Sequence, residues 1–405
     1  MSTLRIAWRN LLRNRRRTAI TVVAVALNTG VLIVALGLVA GFQRLVVHNA
    51  TRLVVGDAQI HATGYRRSRS LHEAIVRPER VLQAASSRGI KAVPRGYGYG
   101  LVSSGQKSAG ASFWGVDPRA EREAFSLARQ LLAGSFLADE PGRQVVIGRK
   151  LARSLSVEVG REMVAVVEAA DGSLGTEVFR VAGILKTVSE EIDRGAVLLH
   201  RADFDALFVA EGRVHEIALS TGGLSRPALA AALGPLPPNM ELKTWDELLP
   251  VVANIVQVFE ALAFVFTVIF FLAACLGVLN TMLMATHDRV REFGTIKAIG
   301  ATSGRIVREV ATEGFLLGVL ATVLGAALGL AASWYTVVHG LNLNVFGDAS
   351  FSFGGIAFDA FLRGELTASH VVLAVVAMCL VCVAASLYPG IKAARLPAVR
   401  AMTHV

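Results

Sequence analysis

Four stretches of the chain lack charge over lengths that few soluble helices reach. Thr18 to Gln43 and Ala261 to His287 contain no Asp, Glu, Lys or Arg, and two more apolar runs span Gly314 to about Val338 and Leu366 to Ile391. A hydrocarbon core of about 30 Å needs about 20 residues of helix. Water-free lipid also forces backbone polar groups to pair within the segment. The pattern therefore predicts four transmembrane α-helices, at 18–43, 254–285, 310–338 and 368–391. The alternative, a soluble protein with four buried helices, fails because no globular core needs four uncharged runs of this length.

Residues 44–253 differ in kind: they carry 26 Lys+Arg and 23 Asp+Glu, with frequent Gly, Pro and Asp turn signals. Strand alternation at Ala58–Ala62 and Ala111–Val116, a hairpin from Met163–Ala169 to Thr176–Leu185, and helices at Arg149–Leu155, Ala202–Phe208 and Arg226–Leu233 predict a large α+β domain inserted between helices 1 and 2. Lys91–Val102, broken by Pro94, Gly96, Gly98 and Gly100, reads as a bent or bulged strand. Helical patterning over Gln43–Leu53 and Thr244–Phe259 predicts two helical stalk ends on this domain.

Charge sets the expected orientation. Arg5, Arg9, Arg13, Arg15, Arg16 and Arg17 precede the first span. Arg289, Arg291, Lys297, Arg305 and Arg308 follow the second, and Lys392, Arg395 and Arg400 follow the fourth. The third connection, 339–367, has Arg363 against Asp348, Asp359 and Glu365. Basic short flanks stay inside, so both termini and the 286–309 segment are expected in the cytoplasm, with the domain on the other side. The first run is too long for a signal h-region and lacks a small-residue cleavage site, so it reads as retained. In residues 1–17, Leu4, Trp8, Leu11 and Leu12 fall on one helical face and Arg5, Arg9 and Arg13 on another, an amphipathic helix suited to the inner membrane surface. The overall excess, 41 Lys+Arg over 31 Asp+Glu, fits anionic lipid headgroups rather than nucleic acid in a chain 53% hydrophobic.

Catalytic chemistry is sparse. Gly100–Gly105 is followed by Gln106 where a phosphate-binding loop needs Lys, so any ATP and its Mg are expected on a partner chain. Cys379 and Cys382, a C-x-x-C pair, lie with Cys275 inside apolar helices and read as small hydrophobes. The histidines show no H-E-x-x-H spacing, and neither a catalytic site nor a metal or cofactor is expected. Glu190, Glu191 and Asp193 read as a solvated loop face. Glu260 and Glu313 mark the membrane boundary, where they reach water or a basic neighbour.

The segment 286–309 is the most informative. Arg289, Arg291, Glu292, Phe293, Gly294, Lys297, Ala298 and Gly300 offer a charged surface with an apolar knob for docking on a soluble partner. The run Arg291-Glu292-Phe293-Gly294…Lys297-Ala298-Ile299-Gly300-Ala301 resembles the signature of permeases of the MacB/LolCE/FtsX-like family of ATP-binding-cassette systems. Ala7-Trp8-Arg9-Asn10-Leu11-Leu12-Arg13-Asn14, Glu313-Gly314, Tyr388-Pro389-Gly390 and Ala393-Ala394-Arg395-Leu396-Pro397-Ala398-Val399 are similar to its other motifs. Gly56–His61 with Gly64-Tyr65 resembles the lipoprotein-releasing branch.

The resemblance implies a bacterial inner-membrane permease subunit without its own ATPase. It would pair with cytoplasmic ABC ATPase subunits and with a second permease copy or paralogue, as a homo- or heterodimer. The 286–309 segment would be the ATPase-coupling element. Movement of the outer domain would then drive lipoprotein release, with lipoproteins or a periplasmic adaptor as further partners. Phe42 and Val46 of the first span with Phe259, Phe266 and Phe270 of the second are candidates to line a receiving apolar cavity, helix packing being the alternative. Competing functions are export of a small molecule or peptide, and regulation of a cell-wall hydrolase.

Overall fold

The structure is a computed structural model and describes residues 3–75, 77–186, 189–342, 352–353, 356–357 and 361–397. Asp348 and Asp359 of the third connection, and Ala398, Val399 and Arg400 of the C-terminal motif, lie outside them.

The chain opens with α1 (Thr3–Arg13) and α2 (Arg15–Ala50), which runs on into a π-helical turn at Thr51–Val55. Then come β1 (Ala58–Ala62), α3 (Tyr65–Ser68), α4 (Pro78–Ser86), β2 (Lys91–Ser104), β3 (Lys107–Val116), α5 (Pro118–Ala124), β4 (Leu131–Gly134) and β5 (Gln144–Ile147). Next are α6 (Arg149–Leu155), β6 (Glu162–Glu168), β7 (Leu174–Leu185), α7 (Glu190–Gly195), β8 (Ala196–His200), α8 (Arg201–Phe208), β9 (Glu216–Ser220), α9 (Arg226–Leu233), β10 (Met240–Thr244) and α10 (Trp245–Leu248). The last part holds α11 (Pro250–His287), α12 (Val290–Ala298), α13 (Ser303–His339) and α14 (Ala368–Arg395). Between α13 and α14, β11 (Leu341–Asn342) pairs with β14 (Phe361–Leu362), and β12 (Ser352–Phe353) with β13 (Ile356–Ala357).

Two compact units result, one of helices (3–44, 256–342 and 361–397) and one around residues 45–255. In the helical unit α2, α11, α13 and α14 are each long and apolar enough to cross a membrane. Small residues let them approach. A Cβ on Gly314 or Gly318 of α13 would lie 2.4 Å from the Ser386 hydroxyl or 2.9 Å from Cys382 of α14, and one on Gly325 would lie 2.5 Å from the Ala26 carbonyl of α2. Cys382 is thus buried packing. Helices α2 and α11 run antiparallel and are tied along their length. Arg17 meets Asp288 at 3.0 Å, Thr21 meets Thr281 at 2.7 Å, and the Asn28 amide donates to the Phe270 carbonyl at 2.6 Å. Near the other end the Gln43 amide donates to the Val256 carbonyl at 3.2 Å.

The second unit is an α+β domain built on a sheet of ten strands. Its ladders close on themselves: β2 pairs β3, β3 pairs β8, β8 pairs β5, β5 pairs β7, β7 pairs β6, and β6 returns to β2. This six-strand ring encloses Val102, Phe113, Val145, Met163, Phe179 and Val197, with Phe204 and Phe208 of α8 in the same core. The first half of β2 instead pairs β9, which continues through β1 to β10 and carries a second core against α4 and α9. Arg95, where β2 changes partner, is fully buried. Its guanidinium donates to Glu121 at 2.7 Å, to Glu216 at 2.9 Å and to the Val54 carbonyl at 2.6 Å, fixing the end of the π-helical turn. Burial alone would depress this guanidinium, but the Glu121 and Glu216 carboxylates hold it above its ordinary pKa.

Three expectations are corrected. Of the bent or bulged strand expected at Lys91–Val102, the bulge is absent: the β2–β3 register is continuous from Arg95 to Ser104. The glycines of β2 instead make room: a Cβ on Gly98 would sit 2.3 Å from the Phe208 ring, and one on Gly96 2.7 Å from Phe204. Glu190, Glu191 and Asp193 form helix α7 rather than a loop, with Ser189 as N-cap and Asp193 buried. The helical pattern over Thr244–Phe259 is broken at Leu249, whose φ −124° and ψ 67° end α10 before Pro250 opens α11. A residue preceding proline is pushed out of the helical region.

Candidate functional site

The residues singled out in the 286–309 segment divide into a buried lock and an exposed rim. Helix α11 ends at His287 and α12 starts at Val290, so Arg289 sits in the turn between them, φ −112° and ψ 9°. That turn aims its side chain inward, and only 6% of the residue remains exposed. Glu309 and Glu313, four apart and therefore on one face of α13, receive it: Nη2 lies 2.9 Å from Glu309 and Nη1 2.6 Å from Glu313. Nε donates to Glu292 at 3.1 Å, and the guanidinium stacks over Phe293, 4.9 Å from the ring centroid.

Helix α1 completes the lock. The Asn10 amide donates to Glu313, and Arg13 pairs with Glu292 at 2.7 Å. Asn10, Arg13 and Arg17 of α2, spaced three and four apart, meet Glu313 of α13, Glu292 of α12 and Asp288 of the α11–α12 turn in that order. Burial alone would lower the Arg289 pKa, but Glu313, Glu292 and Glu309 hold it above its usual value. The Glu292 carboxyl, raised in part by desolvation, is held below its ordinary range by Arg13 and Arg289. Between α1, the start of α2, α11 and α13 remains a cavity of about 30 Å³, room for about one water.

Docking roles assigned from sequence are therefore redistributed. Arg289 is consumed by three carboxylates, Phe293 is 2% exposed, and Gly294 is buried. Lys297 donates to the carbonyls of Ala394 and Leu396, at 2.8 and 3.0 Å, and so satisfies the C-terminal end of α14. These four hold the segment in place rather than offer it. Arg291, Ala298 and Gly300 are exposed, and Glu292 is half exposed. The outward apolar knob is Ile299, 81% exposed, which lies in the run read from sequence but was not among the coupling residues singled out there. Its presentation depends on Gly300, φ +97°, whose N–H donates to the Lys297 carbonyl at 3.0 Å while Ala301 N–H donates to the Ile296 carbonyl at 3.2 Å. This pair of bonds is the helix-ending arrangement that requires a left-handed residue after the cap.

Glu309, Asn10 and Asp288 were also missed. The signal for Glu309 was present: two acids four apart at the start of an apolar helix need a cation nearby. Glu313, read as a boundary acid, is inside the lock, whereas Glu260 is exposed on α11. Helix α1 buries Ala7 and Leu11 and leaves Leu4, Trp8 and Leu12 exposed, so Leu11 belongs to the packed face rather than the membrane-facing one.

The five cavity candidates are not gathered into one lining. Phe42 and Phe259 pack on each other with ring centroids 4.4 Å apart, and Val46 is 1% exposed. Phe270 packs into the helix core, while Phe266 is half exposed.

Comparison with known proteins agrees along the chain. A model of the MacB-like periplasmic core domain matches residues 18–235, and one of the FtsX-like permease C-terminal region matches residues 264–398. The lipoprotein-releasing system transmembrane protein LolE of Haemophilus influenzae is 24% identical over 96% of this chain and 96% of its own. LolC of Neisseria meningitidis is 21% identical over 78% of this chain and 77% of its own. Among solved structures, the periplasmic region of MacB from Actinobacillus actinomycetemcomitans aligns at 16% identity and a TM-score of 0.36, covering 49% of this chain and 92% of that one. The chain belongs to the MacB/LolCE/FtsX type of ABC transporter permease.

Proposed function

We propose that this permease turns ATP binding and hydrolysis by cytoplasmic ATPase subunits into movement of its α+β domain, and that the movement releases lipoproteins from a bacterial inner membrane. Permeases of this family work with cytoplasmic ABC ATPase partners. The basic flanks favour both termini and the 286–309 segment on the ATPase side. ATP and Mg would be bound by those subunits, and a second permease would complete the assembly.

The lock around Arg289 is the observation that carries this reading. Through Arg289, the short helix α12 is joined to α13 and, by way of Asn10 and Arg13, to α1. A displacement of the Ile299 rim therefore shifts a braced body of helices instead of bending a loop. Helix α2 is unbroken from Arg15 to Ala50, and the turn after it is held at Val54 by buried Arg95. A stiff helix passes displacement along its axis where a loop would absorb it.

Lipoproteins are favoured as cargo by the relatives named for lipoprotein release, which match along most of the chain. The test is reconstitution with the ATPase subunits and a radiolabelled triacylated lipoprotein in proteoliposomes. ATP-dependent appearance of the lipoprotein in the soluble fraction is expected. ATPase stimulation by a small molecule or peptide, with the lipoprotein left in the membrane, would replace this cargo with an exported one.

A further inference from the structure

The α+β domain holds two adjoining cavities. The larger, about 450 Å³, is mainly apolar and lined by Ala50, Leu53, Ile192, Val251 and Val252 among others. The smaller, about 160 Å³, is ringed by polar and aromatic groups that include His61, Tyr65, Arg66, Arg69 and Tyr99. Val54, Val55, Trp114, Glu191, Leu248 and Leu249 line both, so the two form one continuous site with an apolar and a polar end. Its size falls within the roughly 300–1,000 Å³ of small-molecule sites.

The walls are braced. Arg95 holds the Val54 carbonyl, the Gln59 amide donates to the Val55 carbonyl at 2.8 Å, and Trp114 packs edge-on against Tyr97 with ring centroids 5.3 Å apart. Tyr65 stacks on His61 at 5.6 Å. A preformed cavity of this kind does not need to order its lining when a ligand enters.

Charge at the polar end is nearly balanced but not completely. Glu216 is held by Arg95 and accepts from the Tyr97 hydroxyl at 3.1 Å, and Glu190 pairs with Lys150 and Arg194. Glu191 pairs with Arg69 at 3.1 Å. Glu121, which shares Arg95, does not line the site. Burial lowers the His61 pKa and favours the uncharged ring. Arg66 remains: its polar contact among the described residues is the Leu248 carbonyl at 3.4 Å. Among the described residues, Arg66 thus stands at the polar end without a carboxylate partner.

We propose that this site binds a single-chain lipid with one negative charge, its acyl chain between Leu53, Ile192 and Val251 and its headgroup on Arg66 and Arg69. A carboxylate and a phosphodiester share the required chemistry. Two walls, Asn49–Ala50 and Pro250–Val252, are the ends of helices long enough to cross a membrane, which puts lipid within reach. Moving a chain from bilayer to cavity exchanges one apolar surrounding for another, so the headgroup contacts set the selectivity.

The test uses full-length protein in phosphatidylcholine nanodiscs with a diazirine-bearing palmitate, followed by irradiation and peptide mapping. Adducts are expected on residues 49–55 and 248–252. Displacement by excess palmitate assigns a carboxylate, and displacement by lysophosphatidylglycerol assigns a phosphodiester. Arg66→Glu should lower these adducts about tenfold, as loss of one charge-assisted contact does, without changing adducts on the exposed face of α11. Leu53→Trp, which fills the apolar end and leaves Arg66 in place, should lower them as well and keeps the test valid if Arg66→Glu misfolds. Adducts confined to residues 18–43 and 254–285, equal displacement by a neutral monoacylglycerol, or full labelling in Leu53→Trp would overturn the assignment.

Discussion

The Arg289 guanidinium and the Glu313 carboxylate lie 2.6 Å apart, each more than nine-tenths buried, and join residues that are 24 positions apart in sequence. A buried pair of this kind stabilises only as a unit. Replacing Arg289 with Gln leaves Glu309 and Glu313 buried without their cation, at a cost of about 3–5 kcal/mol. Thermal unfolding in detergent is expected to show a large drop for Arg289→Gln. The triple change to Leu at Arg289, Glu309 and Glu313 should recover much of it. A triple variant less stable than the single one would show that the charges themselves, not their pairing, hold the segment.

Ile299 and Gly300 separate docking from folding. Ile299→Asp removes the exposed apolar knob and touches nothing inside, so melting should be unchanged while association with the ATPase subunits weakens. Gly300→Ala forces a side chain into a left-handed backbone, at about 1 kcal/mol, and should weaken association by moving Ile299. Pull-down of the ATPase by each variant is the measurement, and undiminished capture by Ile299→Asp would remove this rim from the docking surface.

In the α+β domain, Gly98→Val should be far more damaging than an ordinary strand substitution. The Cβ alone would lie 2.3 Å from the Phe208 ring, and overpacking of this kind costs about 1–3 kcal/mol or more. Phe208→Ala should partly rescue Gly98→Val although Phe208→Ala alone destabilises by about 3–5 kcal/mol. Limited proteolysis of the full chain distinguishes rescue from simple addition of the two losses.

Two buried histidines make the domain acid-sensitive. The His215 Nδ1 accepts from the Tyr97 N–H at 3.0 Å and its Nε2 faces the Leu71 carbonyl at 2.9 Å, which fixes a neutral ring. Burial lowers the pKa of both His61 and His215 below the ordinary 6.5. The unfolded chain therefore takes up protons first as pH falls below about 6.5, and stability is lost from there down to the folded values. Hydrogen exchange at β1 and β9 should accelerate between pH 7 and pH 5, and less so in a His215→Gln variant. Exchange that is flat across this window would mean the rings are not buried neutral.

Much of this architecture was legible because periodicity and charge are local signals. Four uncharged runs announced four helices, and the Met163–Leu185 alternation announced the β6–β7 hairpin. What escaped depended on distant partners. The glycines of β2 look like a bulge until Phe204 and Phe208, about a hundred residues on, are seen to fill the space. Arg289 reads as a surface cation until Glu309, Glu313 and Asn10 close around it. The break at Leu249 was different: Pro250 signals it plainly, and the helical pattern on either side outweighed it.

We propose that the Ile299 rim and the α+β domain lie on opposite sides of the membrane, so that work done on one appears at the other. The most direct test is impermeant maleimide labelling of Ile299→Cys and Leu174→Cys in a background with Cys275, Cys379 and Cys382 replaced; Leu174 is 75% exposed in the domain. In intact spheroplasts Leu174→Cys should label and Ile299→Cys should label only after permeabilisation. Equal labelling of both before permeabilisation would place them on one side and contradict the account.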